Sequence, residues 1–311
     1  MGCTRNAVCR KRYREFESRP LRKRIPPIYK ILALHAGFLY TKDIMKHSKK
    51  KRPTVGLALG GGGVKGMAHI GVLKTLIKNK IPIDYIVGTS VGAVIGGFYA
   101  VHGDIKKLEE TALSSGFEQV FSLMQDPILG SGLVDEKEVY HFIKKNIGAV
   151  KFNETKIPFC AVATSAKTGE PVYIDSGTVF RGIRASMAIP PFFSPLKVKN
   201  DVWVDGAYAD PVPARQARAM GADVVLAVNL EEDYLFQWKK YKNVYGFSLR
   251  SVSIFIRSLA TLSSQSADVV IAPHVARYDW GDLDKAKKII RIGEKAAKFK
   301  LDEIKKMISR N

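Results

Sequence analysis

Cysteine is scarce: Cys3, Cys9 and Cys160 are the whole complement of 311 residues. An odd, sparse set offers no disulfide framework and points to a reducing compartment. Long apolar runs are missing as well, none reaching the ~18 residues that argue for a transmembrane helix. The basic start, "MGCTRNAVCRKRYREFESRP", contains no apolar stretch, so no signal peptide is expected. Met1-Gly2 opens like a myristoylation site, but Asn6 stands where that site needs Ser or Thr. These absences predict a cytoplasmic protein, with peripheral contact at the inner face of the membrane as an open option. Acid is also short, 29 Asp and Glu against 50 Lys and Arg. The imbalance is local: residues 1 to 52 hold 16 Lys or Arg and three acids, +13 of the formal +21, which leaves +8 for the other 259 residues.

Residues 1–52 therefore read as a basic N-terminal arm and 53–311 as the folded domain. Within the arm, 28–45 ("IYKILALHAGFLYTKDIM") can form an amphipathic helix, with Ile28, Ile31, Leu32, Phe38 and Leu39 on one broad face. Two readings stay open: a solvated tail with a packed helix, or a segment lying on anionic lipid, where each surface Lys or Arg contributes ~1 kcal/mol. Nucleic acid is the weakest partner, since the basic part has few aromatics beyond Tyr13 and Phe16 and no nucleic-acid module follows.

From residue 54 strands and helices alternate. "TVGLAL" reads as a buried strand, Met67 to Lys80 as a helix, "IDYIV" as a strand and Val91 to Val101 as a helix. Later come a strand pair around a Lys-Thr-Gly turn, a helix near 178–188, the short strand "VWVD", and a helix near 213–220. The strands "ADVVLAVNL" and "ADVVIAP" and a long amphipathic helix over 284–306 complete the series. This spacing predicts an α/β domain with a three-layer, doubly wound, mainly parallel sheet. Residues 231–248, rich in Tyr, Trp and Lys, read as an excursion, either a lid or a membrane-facing flap.

Four segments carry chemistry. "LALGGGGVKGMAHIGVL" places Gly60 to Gly63 between a strand and a helix, where backbone N–H groups can converge on an anion. Gly61-x-Gly63-x-x-Gly66 also fits a dinucleotide fingerprint, with Asp84 downstream, but that acid begins a strand rather than ending one. The order Val64-Lys65-Gly66 excludes a Walker loop. The second segment, Gly88-Thr89-Ser90-Val91-Gly92, lies between an apolar strand and a helix of small residues, the setting of a nucleophile elbow. The third, "VWVDGAYADPVP", ends a strand at Asp205, where a carboxylate can either cap a turn or take a proton from a serine. The fourth, "RASMAIPPFFSP", reads as a rigid apolar wall. His69 reads as structural. His274 follows Ser90 and Asp205 in the chain order of a hydrolase triad. No His/Cys/Asp/Glu cluster has metal-ligand spacing, and no cofactor is expected.

Together these segments resemble the patatin-like phospholipase family, in the form of its single-domain bacterial and archaeal members. Its Gly-Gly-Gly-x-Lys/Arg-Gly loop is matched by Gly61-Gly62-Gly63-Val64-Lys65-Gly66, and its Gly-x-Ser-x-Gly elbow by Gly88 to Gly92. Asp205-Gly206-Ala207 matches its Asp-Gly-Gly/Ala, and Ala185 to Pro195 its Ala-Ser-x-x-x-Pro-x-x-Phe-x-Pro block. Asp210 stands where the family often has Asn. The resemblance spans roughly residues 53 to 300 and omits the arm. It implies a metal-free serine acyl hydrolase acting on lipid esters, with Ser90 as nucleophile and Asp205 as general base. Gly61, Gly62 and Gly63 would form the oxyanion hole, with Lys65 supporting the loop or the developing charge. A Ser90–Asp205–His274 triad esterase and a non-catalytic lipid-binding protein of the same fold remain as alternatives. Substrate head group and oligomeric state are not legible.

Overall fold

In the computed structural model, the described residues are 52–114, 136–190, 192–232, 244–278 and 282–309. The arm, with its expected helix over 28–45, and residues 233–243 of the expected excursion lie outside them.

A run of five apolar residues without polar alternation makes a strand covered on both faces. β1 (Val55–Leu59) and β7 (Val224–Val228) have that composition, and every residue in both is buried. β1 pairs in parallel with β2 (Tyr85–Thr89) on one side and β7 on the other. Outward from these, β3 (Phe159–Ser165) joins β2 and β8 (Val269–Ile271) joins β7, both in parallel. The winding therefore leaves β1 in both directions, as the alternating sequence predicts. Side chains alternate across the sheet. Leu57, Leu59, Ile86, Phe159 and Leu226 enter the larger core, shared with α1 (Met67–Lys78), α2 (Val91–His102), α5 (Val179–Ser186) and α8 (Ala286–Phe299). Ala58, Val87, Cys160 and Val225 face a thinner layer, against Ala214 and Ala217 of α6 (Ala214–Ala219) and Ala260 of α7 (Val244–Ser264). On the larger-core side, α3 (Ile105–Ala112) and α4 (Glu136–Ile147) contribute Leu108 and Ile143.

Antiparallel strands gather around β3. β4 (Pro171–Ile174) takes Ala161–Thr164 along one edge. On the opposite edge β2 pairs with Phe159–Val162, and β6 (Asp201–Asp205), arriving from the other direction, continues with Ala163–Ser165. β2 and β6 thus end almost head to head, Thr89 opposite Val162 and Asp205 opposite Ala163. β5 (Leu196–Val198) closes this side against β6.

Besides α3, α4 and β5, which the sequence reading does not include, two elements depart from expectation. The helix expected over 284–306 is two, α8 and α9 (Leu301–Ser309), separated at Lys300. The apolar spacing runs on through both, so the pattern does not mark the break. α7 is a 21-residue helix where serine-rich sequence gives no helical signal. Ser248, Ser251 and Ser258 each donate to the carbonyl four residues earlier, at 2.9, 3.0 and 3.1 Å. Such back-bonding satisfies the hydroxyls but slightly weakens a helix, so the serines do not themselves account for it.

Candidate active site

The glycine loop follows β1 and the Gly88–Gly92 turn follows β2, so both lie at the carboxyl ends of the central parallel strands, where doubly wound sheets place their sites. Ser90 sits at the junction of β2 and α2 with φ 55° and ψ −124°. A non-glycine residue held there stores ~1–3 kcal/mol of strain that the surroundings must offset. Several contacts do so. The Ser90 N–H donates to Ser186 Oγ at 2.8 Å, and the Thr89 hydroxyl donates to the Asp210 carbonyl at 2.8 Å. At Gly92 a methyl would stand 2.2 Å from the Leu59 carbonyl oxygen. α2 therefore starts with its backbone directly on β1.

The glycine loop is braced from below. His69, wholly buried in α1, holds the Gly60 carbonyl through Nε2 at 2.8 Å. A carbonyl only accepts, so Nε2 carries the proton, and burial pushes the imidazole pKa down to about 4. The ring is neutral at pH 7. His69→Phe keeps the bulk and removes the bond. It is expected to cost ~1–3 kcal/mol in urea unfolding, the penalty of an orphaned buried carbonyl. The unfolded histidine titrates near 6.5, so its share of stability is full above that pH and lost as pH falls toward 4. The parent should show that acid loss, and His69→Phe should not.

Asp205 arrives from the other half of the chain and is fully buried. Its N–H donates to the Ala188 carbonyl at 2.8 Å, and its carbonyl accepts the Thr164 hydroxyl at 2.8 Å. Oδ1 accepts the Ala207 N–H at 2.8 Å. Oδ2 is sealed from solvent and makes no hydrogen bond of normal geometry among the described residues. Burial pushes the carboxyl pKa up to about 7, against the lowering effect of the Ala207 N–H and the Ser90 hydroxyl. Ser90 and Asp205 are therefore neighbours. A methyl placed on Gly61 would lie 3.5 Å from Ser90 Cβ and 3.6 Å from Ala207 Cβ. Three of the four sequence motifs meet at that point, and the fourth supplies Ser186.

Two of the expected oxyanion groups are otherwise engaged. The Gly61 N–H donates to the Pro211 carbonyl at 3.0 Å, and the Lys65 ammonium pairs with Glu231. The Lys65 N–H goes to the Gly62 carbonyl at 3.2 Å. The amides of Gly62 and Gly63 meet no acceptor among the described residues. Gly62 and Gly63 have φ 148° and 57°, which turns the loop past Ser90. Asp84, the acid of the dinucleotide reading, is at the far end of β2, where it binds Arg52 at 2.7 Å and the Val55 N–H at 2.8 Å. His274 is exposed beyond β8 and is not among the groups that act on Asp205. Asp210 is buried, accepts the Tyr173 hydroxyl at 3.0 Å and is pushed up to about 6 by burial. Sequence reasoning missed Ser186 as a partner of Ser90 and Glu231 as the partner of Lys65. Ser186 lies inside a quoted motif, whereas nothing local marks Glu231.

Comparison with known proteins bears on the family and the fold. The family model described as "Patatin-like phospholipase" matches residues 57–218. An uncharacterized NTE family protein of Mycobacterium tuberculosis (strain ATCC 25618 / H37Rv) is 34% identical over 178 residues, 57% of this chain and 49% of that protein. Lysophospholipase nte1 of Neurospora crassa is 29% identical over 246 residues, 75% of this chain and 16% of that protein. The chain thus spans about half the length of the mycobacterial relative and a small part of the fungal one. Among solved structures, VipD from Legionella pneumophila superposes with a TM-score of 0.50 at 14% identity, over 84% of this chain and 72% of that one, a likeness of fold.

Proposed function

Because the chain belongs to the patatin-like phospholipase family, we propose that Ser90 and Asp205 form a two-residue centre that hydrolyses acyl esters of lipids, in the manner of a phospholipase A or lysophospholipase. The observation that carries this reading is the sealed Asp205 carboxyl beside Ser90, with the glycine loop packed on both motifs. Ser90 Oγ attacks the ester carbonyl carbon as its proton passes to Asp205. The oxyanion of the tetrahedral intermediate is held by the Gly62 and Gly63 amides, and each such donor contributes ~3 kcal/mol. The C–O bond then breaks, the alcohol leaves with the proton from Asp205, and Ser90 stays acylated. Water, deprotonated by Asp205, attacks the acyl carbon and returns the proton to Ser90 as the fatty acid departs. A buried carboxyl with a pKa near 7 is a far stronger base than a solvated one, yet still ionised at mildly alkaline pH. Lys65, paired with Glu231, braces the loop.

The basic arm would hold the protein at the cytoplasmic face of an anionic membrane.

A lipid panel with the Ser90→Ala protein as its blank tests the activity: release of fatty acid by the parent alone is expected, and equal release by both proteins rejects the reading. The pH profile tests the base. kcat/KM for a soluble p-nitrophenyl ester should climb roughly tenfold per pH unit below 7 and level off above it, as Asp205 ionises. A profile flat from pH 5 to 8 would remove Asp205 from the role.

A further inference from the structure

α7 has two unlike sides. At about 100° per residue, Ala260, Ser263 and Ser264 point into the domain and are buried. Val244, Phe247, Val252, Ile254, Phe255 and Leu262 fall within an arc of about 160° on the other side, and all six are exposed, Phe255 by 60% and Leu262 by 61%. Six of the eight large apolar residues exposed among the described residues thus share one face of one helix. Soluble surfaces rarely collect apolar side chains in this way without a partner.

We infer that this face of α7 seats the protein on an anionic phospholipid bilayer, beside the site from which lipid would be drawn. The clause about lipid supply rests on the proposed function; the docking itself rests on the helix. Charge argues for the bilayer over a second protein. α7 contains no acid, and the ten residues before it, "YLFQWKKYKN", carry three lysines, four aromatics and no acid. Basic residues flanking an apolar stripe, with Trp and Tyr alongside, are the composition of an interfacial helix. No described helix is long and apolar enough to cross a membrane, so α7 would lie along the surface.

The helix is also tied to the reaction centre. The Arg257 guanidinium donates to the Glu231 and Glu232 carbonyls at 3.1 and 3.2 Å, and the Glu231 carboxylate pairs with Lys65 of the glycine loop. The Ser263 hydroxyl accepts the Val212 N–H at 3.2 Å, close behind the Asp205 motif. A surface resting on α7 therefore bears on both halves of the site through one or two bonds.

The test is flotation of the full chain with vesicles of mixed phosphatidylcholine and phosphatidylglycerol, in the Ser90→Ala background so that no lipid is consumed. The combined variant Phe247→Ser, Ile254→Ser, Phe255→Ser should lose vesicle binding at least about tenfold, since interfacial affinity scales with buried apolar area. Phe247→Leu, Ile254→Leu, Phe255→Leu should keep it within about twofold on the same argument. The difference should persist at roughly 1 M NaCl, where charges are screened beyond about 3 Å and the arm's contribution fades. Unchanged binding of the serine variant at that salt overturns the inference, as does equal loss in the leucine variant. Sedimentation velocity identifies a second copy as the occupant if the serine variant turns a dimer into a monomer and still floats, which also overturns it.

Discussion

Replacing Ser90 by Ala should lower hydrolysis of a p-nitrophenyl ester by at least about a thousandfold, and Asp205→Asn should do nearly the same. The losses should not add in the double variant if Ser90 and Asp205 act as one unit, as proposed. Stability should move the opposite way. Ser90 is held at φ 55°, so Ser90→Gly, inactive like the alanine variant, is expected to unfold later by about 1 kcal/mol as that strain is released. Asn at 205 can still accept the Ala207 N–H. Folding raises the Asp205 pKa from 3.8 to about 7, so stability is greatest while the carboxyl is protonated and falls as pH rises through 7. Between pH 6 and 9 the parent should therefore lose stability that Asp205→Asn keeps. Urea unfolding at the two pH values reads this directly. A stability loss of several kcal/mol in Asp205→Asn at both would show a structural role instead.

Gly92→Ala is expected to cost more than any other single methyl near the site. Its Cβ would lie 2.2 Å from the Leu59 carbonyl oxygen and 2.7 Å from that of Gly60. Both belong to backbone at the centre of the sheet, so neither can step aside as a side-chain tip would. The helix must lift from β1, which carries Ser90 away from Asp205. We expect a loss of about 3 kcal/mol in unfolding, with activity lost alongside. Gly169→Ala is the matched control. Nothing lies within 4 Å of the added methyl, and φ is 75°. Only the left-handed backbone penalty of about 1–2 kcal/mol applies, and turnover should be unchanged. Equal activity losses in the two variants would mean that the close packing at Gly92 does not position Ser90.

The motifs were legible because each is local. Gly61 to Gly66, Gly88 to Gly92 and Asp205 to Ala207 carry their turn chemistry in adjacent residues, and so do the fully apolar strands β1 and β7. What hid was distant or compensated. Lys65 reads as a charge near the oxyanion, but its partner Glu231 is 166 positions away. The Gly61 amide looks available until Pro211 is brought beneath it. α7 is masked by serines whose hydroxyls turn inward on the helix, and the break at Lys300 leaves the apolar spacing undisturbed. Asp84 alone announced its misfit beforehand, by standing at the wrong end of its strand.

The shared edge of β3 has a consequence for when the chain can act. Ser90 and Asp205 are 115 positions apart and follow or end strands that do not pair with each other; β3 holds both strands along one side, and the Thr89 hydroxyl on the Asp210 carbonyl adds a direct link. If Asp205 is the base, as proposed, a fragment that ends before β6 lacks it, and so does a folding intermediate with the parallel sheet formed but β6 undocked. Appearance of ester cleavage during refolding should therefore lag the formation of parallel sheet. On the proposed mechanism, activity would wait on the docking of a five-residue strand.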